Sequence, residues 1–357
     1  MTAIFPTDPQ RSQPGRRGWH GWHGWHGPLA AGAAAVAVGA MVSYQSRANG
    51  ELAVAVGNQI QGIQAAVISF GSGWLILTAA LGVVPRYREG VRWVAAAVRS
   101  REMPWWQVLG GALGGFFVAV QSVTVPLLGV AVFTVAVVAG QTSSSLAVDR
   151  AGLGPGGRRP VTGARIASAV ITIAAVAVAV SGRLGRFSLG ETWPILLALF
   201  AGSLIAVQQA VNGRVGAVAG RAVSAAFINF TLGFAVLGAA LGLAWALTGV
   251  APGPLPAGPW WIYTGGAIGV VFIATAAWAV QRLGVLLLAL LSISGQLLGA
   301  LVIDLIAPTE GTAVHPTLVA GVLLAWVAVA VGALPTWAAG RRSGNKSGVG
   351  PVATNDT

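Results

Sequence analysis

Carboxamide side chains recur at two places in the chain with the same spacing. Gln45 and Asn49 lie four residues apart, and so do Gln208 and Asn212. Residues four apart on a helix share one face, and carboxamides surrounded by hydrocarbon need hydrogen-bonding partners. Such pairs are suited to binding a polar molecule along a path through a membrane. They are equally suited to capping helix ends or bonding two helices together, and the sequence leaves both interpretations open.

Other polar residues occur inside long apolar stretches, and two of them are glutamines that directly follow a glycine. A glycine beside a polar group deep in a helix fits a broken helix that faces a cavity. It fits close packing with an interhelical hydrogen bond equally well. Together with a serine and an asparagine at matching positions, these glutamines complete the predicted substrate path: Gln141, Gln296, Ser69 and Asn229.

Two aspartates lie near the ends of apolar stretches. A carboxylate within a membrane can relay protons, so Asp149 and Asp304 are candidates for ion coupling. The alternative is a solvated or arginine-paired carboxylate at the membrane surface, and Arg150 directly follows Asp149. We find no acidic residue in the middle of an apolar stretch, which argues against a central acidic site for cationic molecules.

The composition indicates that a lipid bilayer surrounds these residues. Of the 357 residues 55% are hydrophobic and only 8% are charged, whereas soluble domains carry about 25% charged residues. This excludes a soluble globular enzyme.

The chain has no cysteine, which excludes disulfides, thiolate metal sites and cysteine nucleophiles. Without an HExxH, GxSxG or Walker motif, the chain is predicted to be no enzyme and to need no cofactor or metal.

Ten apolar stretches are long enough to cross a bilayer, which takes about 20 residues per helix. With a cytoplasmic N-terminus, 18 of the 21 Lys and Arg residues fall in cytoplasmic segments, and Arg47, Arg183 and Arg186 fall outside. This bias supports the orientation and explains the net charge of +12 without nucleic acid. Both termini are predicted to be cytoplasmic. The predicted spans are 28–45, 60–84, 105–123, 126–148, 162–181, 191–211, 222–249, 260–280, 283–306 and 316–338.

The chain contains an internal repeat. Residues 105–149 align with 260–304 without gaps at 16 of 45 positions, including a Trp-Trp, a Gly-Gly, a Gly-Gln and a final Asp. Upstream, the pattern QxxxNG recurs, and Ile-Ser-Phe at 68–70 corresponds to Ile-Asn-Phe at 228–230. Each half holds five predicted spans, so the second half enters the membrane in the opposite direction. Inverted repeats place a substrate site at their interface and alternate its access by rocking one half against the other.

The repeated unit of QxxxNG, I(S/N)F, WW, GG, LGV, GQ and D resembles the drug/metabolite transporter superfamily. It is most similar to the YdcZ-like branch of bacterial inner-membrane exporters, here in a fused two-unit form. The resemblance covers about residues 41–338. It implies a multi-spanning exporter fold and supplies no substrate. The first half departs from the second by three extra residues after Gly50, and Gln281 stands where the first half has Pro126.

These observations predict an all-α polytopic membrane protein with about ten transmembrane helices in two inverted five-helix repeats. Its predicted function is that of a secondary transporter, an exporter of small polar or amphipathic metabolites or drugs by alternating access. The alternatives are a non-transporting assembly or sensory component and a lipid scramblase. The expected partners are an unidentified small molecule and the bilayer, with no nucleic acid, and one chain suffices as a monomer because it contains both repeats. The predicted divisions are a Trp-His-Gly tail at 1–27, repeats at 28–182 and 183–338, and a disordered cytoplasmic tail at 339–357.

Overall fold

The computed structural model describes residues 26–154, 157–158, 161–182, 192–308 and 314–344. Every regular element within these ranges is helical. The Trp-His-Gly tail before His26, the predicted external arginines Arg183 and Arg186, and the chain beyond Gly344 lie outside the described residues.

Ten α-helices and two short 3₁₀ helices make up the described ranges. Gly129 separates the helix that ends at Leu128 from the helix that begins at Val130. Its φ of 77° is one that glycine adopts at little steric cost. The α-helices are α1 His26–Val56, α2 Gln61–Val83, α3 Pro85–Arg99, α4 Gly110–Leu128, α5 Val130–Ala151, α6 Gly163–Ser181, α7 Trp193–Ala219, α8 Ala222–Thr248, α9 Gly265–Ile306 and α10 Pro316–Gly344. The 3₁₀ helices Trp105–Leu109 and Trp260–Tyr263 precede α4 and α9.

In the part of the chain that the structure describes, seven helical segments are long and apolar enough to cross a bilayer. Three shorter apolar segments, Gly163–Ala179, Trp260–Ala276 and Pro316–Gly332, coincide with the remaining predicted spans. Several helices extend beyond the predicted ends of their spans, and α7, for example, continues past residue 211 to Ala219. Helix α1 continues past residue 45 to Val56, and α10 continues into residues 339–344, which the sequence predicted to be part of a disordered tail.

The chain turns back on itself within the helical residues of α9. Gly265 lies against Asn49 and Gly295 lies against Val36, both on α1. Residues 36 and 49 are about 20 Å apart along α1, whereas residues 265 and 295 would be about 45 Å apart along a straight helix. The order of the contacts along α1 also reverses between the start and the end of α9. Near the end of α9, Gly299 lies against Ala40, which is further along α1 than Val36. Helix α9 therefore has two limbs, of which the first runs antiparallel and the second parallel to α1.

Helices of one half pack against helices of the other half in matching pairs. Helix α1 packs against α9, while α7 packs against α4 and α5; α2 packs against α8, and α6 against α10. Where α2 meets α8, the Phe70 and Phe230 rings are 4.9 Å apart. A Cβ at Gly73 would lie 2.3 Å from Phe230, and one at Gly233 would lie 2.3 Å from Phe70. Such reciprocal contacts are the pattern that a two-fold relation produces.

Helix α3 has no counterpart in the second half. It holds four arginines among 15 residues and buries Gly90, Val94 and Ala97 against α7 and α8. At the corresponding place the second half has a proline-containing loop, residues 250–259. The sequence reading treated residues 85–99 only as a cytoplasmic connection, so this helix is an addition to the predicted architecture.

Candidate substrate path between the two halves

The first carboxamide pair lies in the interior of α1 and reaches the start of α9. Gln45 Nε2 donates to the carbonyl oxygen of Gly265 at 2.7 Å, in buried surroundings. Asn49 is 0% exposed, and a Cβ at Gly265 would lie 2.3 Å from its Oδ1. The pair therefore connects the two halves of the chain and does not cap a helix end.

The second pair holds the equivalent position in the second half, inside α7 and against α4. A Cβ at Gly110 would lie 2.2 Å from Asn212 Oδ1, and one at Gly114 would lie 2.3 Å from Gln208 Nε2. Both side chains donate to Asn229 Oδ1, Asn212 at 3.0 Å and Gln208 at 3.3 Å. The carboxamides of each half thus lie against glycines that begin the corresponding helix of the other half.

Gln45 and Asn49 with Ser69 form a first polar cluster, and Gln208 and Asn212 with Asn229 form a second. The two clusters differ at Ser69, which is replaced by Asn229 in the second, and Asn49 has no hydrogen-bonding partner. Ser69 occupies on α2 the place that Asn229 holds on α8, and its shorter side chain lies 2.8 Å from the Cβ position of Gly265. Neither Nδ2 nor Oδ1 of Asn49 forms a hydrogen bond, although the side chain is fully buried. An unsatisfied buried polar group costs about 1–3 kcal/mol. A group of this kind in a folded protein calls for an explanation such as a bound polar molecule.

Two further buried polar side chains extend the first cluster. Ser46, which is on α1, donates to Gln121 Oε1 on α4 at 3.0 Å. Both residues are 0% exposed, and Gln121 Nε2 has no partner. Gln121 has no counterpart in the internal repeat, because Ala276 stands at the equivalent position. It lies near the end of the predicted span 105–123, and a polar side chain within an apolar stretch is the signal that could have identified it.

The Phe70–Phe230 pair lies between the two clusters. The Phe70 ring is 3.5 Å from the Cβ position of Gly114, which also touches Gln208. The Phe230 ring is 3.2 Å from the Cβ position of Gly269, which lies 3.0 Å from Gln45 Nε2. Polar groups from both halves therefore flank one shared aromatic pair.

The glycines of the two Gly-Gln pairs lie where backbones of opposite halves touch. A Cβ at Gly140 would lie 1.9 Å from the carbonyl oxygen of Leu199, and one at Gly295 would lie 2.1 Å from that of Val36. Helix α5 passes through Gly140 without a break. The geometry fits close helix packing, and it does not fit the broken helix that was the other interpretation.

The two glutamines that follow these glycines are half-buried. Gln141 Nε2 donates to Gln209 Oε1 on α7 at 3.1 Å, in exposed surroundings. The carbonyl oxygen of Gln296 accepts a bond of 2.6 Å from Ser43 on α1. Both contacts join helices from opposite halves, and a place for either side chain on a substrate path stays a prediction.

The two aspartates have different surroundings. Asp304 is 2% exposed and accepts bonds from the backbone N–H groups of Val130 at 3.0 Å and Ala131 at 2.7 Å. It therefore caps the N-terminus of α5, where the helix dipole favours negative charge. Asp149 forms an ion pair with Arg165, which fits the arginine-paired alternative. A role for either carboxylate in ion coupling stays a prediction.

These features define a class of protein. The described chain is a multi-spanning helical membrane protein whose two halves exchange equivalent contacts around buried, uncharged polar side chains. The family described as "Putative inner membrane exporter, YdcZ" matches residues 30–178 and 193–331, once in each half. The match covers about four-fifths of the chain, and the chain belongs to this family, as its sequence resemblance predicted.

Other comparisons add little. A search of curated proteins finds no match. One solved structure, titled "Crystal structure of protein", has a TM-score of 0.47 and 18% sequence identity, over 88% of this chain and 98% of that chain. That likeness is too distant to inform either fold or function.

Proposed function

We propose that this protein is a secondary transporter that exports small polar or amphipathic molecules across the bacterial inner membrane by alternating access. The family and the apolar helices support a membrane transporter. The observation that carries the finer proposal is the position of Asn49. Its carboxamide is fully buried, has no partner and lies at a contact that recurs between the two halves.

The proposed architecture is ten spans in two inverted repeats, residues 28–182 and 183–338. The reversal within α9 supports it, because the two limbs of α9 correspond to α4 and α5 of the first half. Five spans in each half then give the halves opposite orientations in the membrane. Rocking one half against the other around the Phe70–Phe230 pair would open the contacts at Gly110 and at Gly265 in turn.

The proposed substrate is a molecule recognised by hydrogen bonds. The cluster around Asn49 offers both donors and acceptors, since carboxamides carry two of each. Ser46, Ser69 and Gln121 add uncharged groups, while the nearby aromatic pair supplies an apolar surface. The two aspartates already have partners, since Asp304 accepts bonds from backbone N–H groups of α5 and Asp149 pairs with Arg165. We therefore expect neutral polar compounds, or amphipathic ones that insert a neutral end.

The test of transport begins with metabolite profiling of a deletion strain and its complemented control. We expect at least one polar compound to accumulate in the deletion strain and to flow vectorially through proteoliposomes that contain the purified protein. If the accumulating compounds bind without flux, the protein is a non-transporting component. If fluorescent lipids lose their asymmetry while no compound flows, the protein is a scramblase.

The proposed orientation has its own test, made simple because the chain has no native cysteine. Single cysteines at Arg88, Arg158 and Ser343 should resist an impermeant thiol reagent in intact cells, because these positions are placed in the cytoplasm. Cysteines at Gly253 and Thr312 should react, and Thr312 lies outside the described residues. Reaction at Arg158 together with protection at Gly253 would contradict the ten-span orientation.

A further inference from the structure

An apolar cavity of about 400 Å³ lies between α3 and the first turns of α8, and none of its lining residues belongs to the candidate substrate path. This volume falls within the range of small-molecule sites, about 300–1,000 Å³. Its wall is apolar except for one threonine and one arginine. Residues that form it include Val94, Val98, Arg99, Phe227, Ile228 and Leu232.

Helix α3, which forms one wall of this cavity, carries exposed arginines. Arg99 ends α3, is exposed and lines the cavity. The same helix exposes Arg86, Arg88 and Arg92. A cluster of arginines directly beside a membrane-spanning helix attracts anionic lipid, and an amphipathic helix of this kind lies in the interface plane.

The opposite wall of the cavity belongs to a helix that faces lipid. Only 17% of the most apolar stretch of α8 is buried within the protein. Helix α3 itself is absent from the second half, where the loop 250–259 takes its place. Helix α3 and its cavity are therefore not part of the contacts that recur between the two halves.

We propose that the cavity binds one acyl chain of an anionic membrane phospholipid, with Arg99 paired to the phosphate of its headgroup. The apolar wall accounts for the chain and the terminal guanidinium accounts for the charge. The lipid belongs to the cytoplasmic leaflet, an assignment that rests on the orientation proposed above. Binding itself does not depend on transport, so it is measured without flux.

The experiment uses the purified full-length protein in a neutral detergent. Phosphatidylglycerol and phosphatidylcholine with identical chains are titrated separately, and the unfolding temperature is followed. We expect phosphatidylglycerol to stabilise the protein at lower concentration, because a ligand that binds only the folded state raises its stability. Arg99→Gln should weaken the apparent affinity for phosphatidylglycerol about fivefold, the effect of one arginine near anionic lipid.

Two further variants locate the lipid. Arg92→Gln removes another exposed arginine of α3 that does not line the cavity, and it should retain most of the discrimination between headgroups. Val98→Trp fills the cavity and should abolish stabilisation by either lipid, with Ala95→Leu as a smaller filling change should the tryptophan prevent folding. Equal losses in Arg92→Gln and Arg99→Gln would overturn the proposal, because they indicate a diffuse charge effect. Unchanged stabilisation in both filled variants would also overturn it.

Discussion

Asn49→Leu is expected to lower the initial rate of transport by roughly 5- to 150-fold while leaving the unfolding temperature unchanged or raised. The Asn49 carboxamide is fully buried and makes no hydrogen bond, so leucine replaces an unsatisfied polar group by an apolar one with the same number of side-chain heavy atoms. Such replacements are neutral or stabilising. In transport, the lost carboxamide leaves a polar group of the substrate unpaired at a cost of about 1–3 kcal/mol. That corresponds to roughly 5- to 150-fold in affinity.

The equivalent change in the second half provides a contrast. Asn212 donates to Asn229 Oδ1 at 3.0 Å, so Asn212→Leu breaks an existing bond between α7 and α8. We expect this variant to lose transport as well, but with a lower unfolding temperature. A difference in stability between two variants at equivalent positions would separate the substrate contact from the structural one.

The measurement is initial-rate efflux of the compound identified by profiling, normalised to protein in the membrane, beside thermal unfolding of each purified variant. Gln59→Leu is the control, because this carboxamide follows α1 in the chain but is exposed and is not part of the candidate path. It should transport normally. Wild-type flux in Asn49→Leu, or a lower unfolding temperature in that variant, would show that Asn49 is structural.

Much of the site was predictable from the repeat, because both halves carry the same polar residues at the same spacing. The spacing identified Gln45 and Asn49 as one face of a helix. It did not reveal that this face meets Gly265, since the partner belongs to the other half and lies more than 200 positions away. Gln121 was not among the predicted path residues for a related reason: a search for symmetry favours residues that recur, and Gln121 contacts Ser46 in one half alone.

The fold was predictable to the level of its apolar helices. Hydropathy located every one of them because the bilayer requires long uncharged stretches. It overlooked α3, whose four arginines removed it from a search for spans. Its apolar residues nevertheless recur with helical spacing, as Val91, Val94 and Val98 show. The contact between α3 and α8 depends on tertiary packing, which periodicity alone does not specify.

A second large effect is expected where backbones of the two halves touch. Alanine at Gly140 would place Cβ 1.9 Å from a carbonyl oxygen of α7, and at Gly295 it would place Cβ 2.1 Å from one of α1. Both distances are far inside van der Waals contact, and the obstructing atoms belong to helix backbones that cannot rotate away. Each pair of helices must therefore move apart, and overpacking of this kind costs about 1–3 kcal/mol.

Gly238→Ala is the matched control for both changes. Gly238 also lies inside a helix, α8, but a Cβ there would meet nothing within 4 Å. Since alanine favours helix over glycine by up to about 1 kcal/mol, this variant should be as stable as the wild type or more so. Thermal unfolding in detergent compares the three variants, and Gly140→Ala and Gly295→Ala should lose similar amounts because their contacts are equivalent. If Gly295→Ala proved as stable as Gly238→Ala, the close approach of α9 to α1 would be wrong, and with it the pairing that places Asn49 against Gly265.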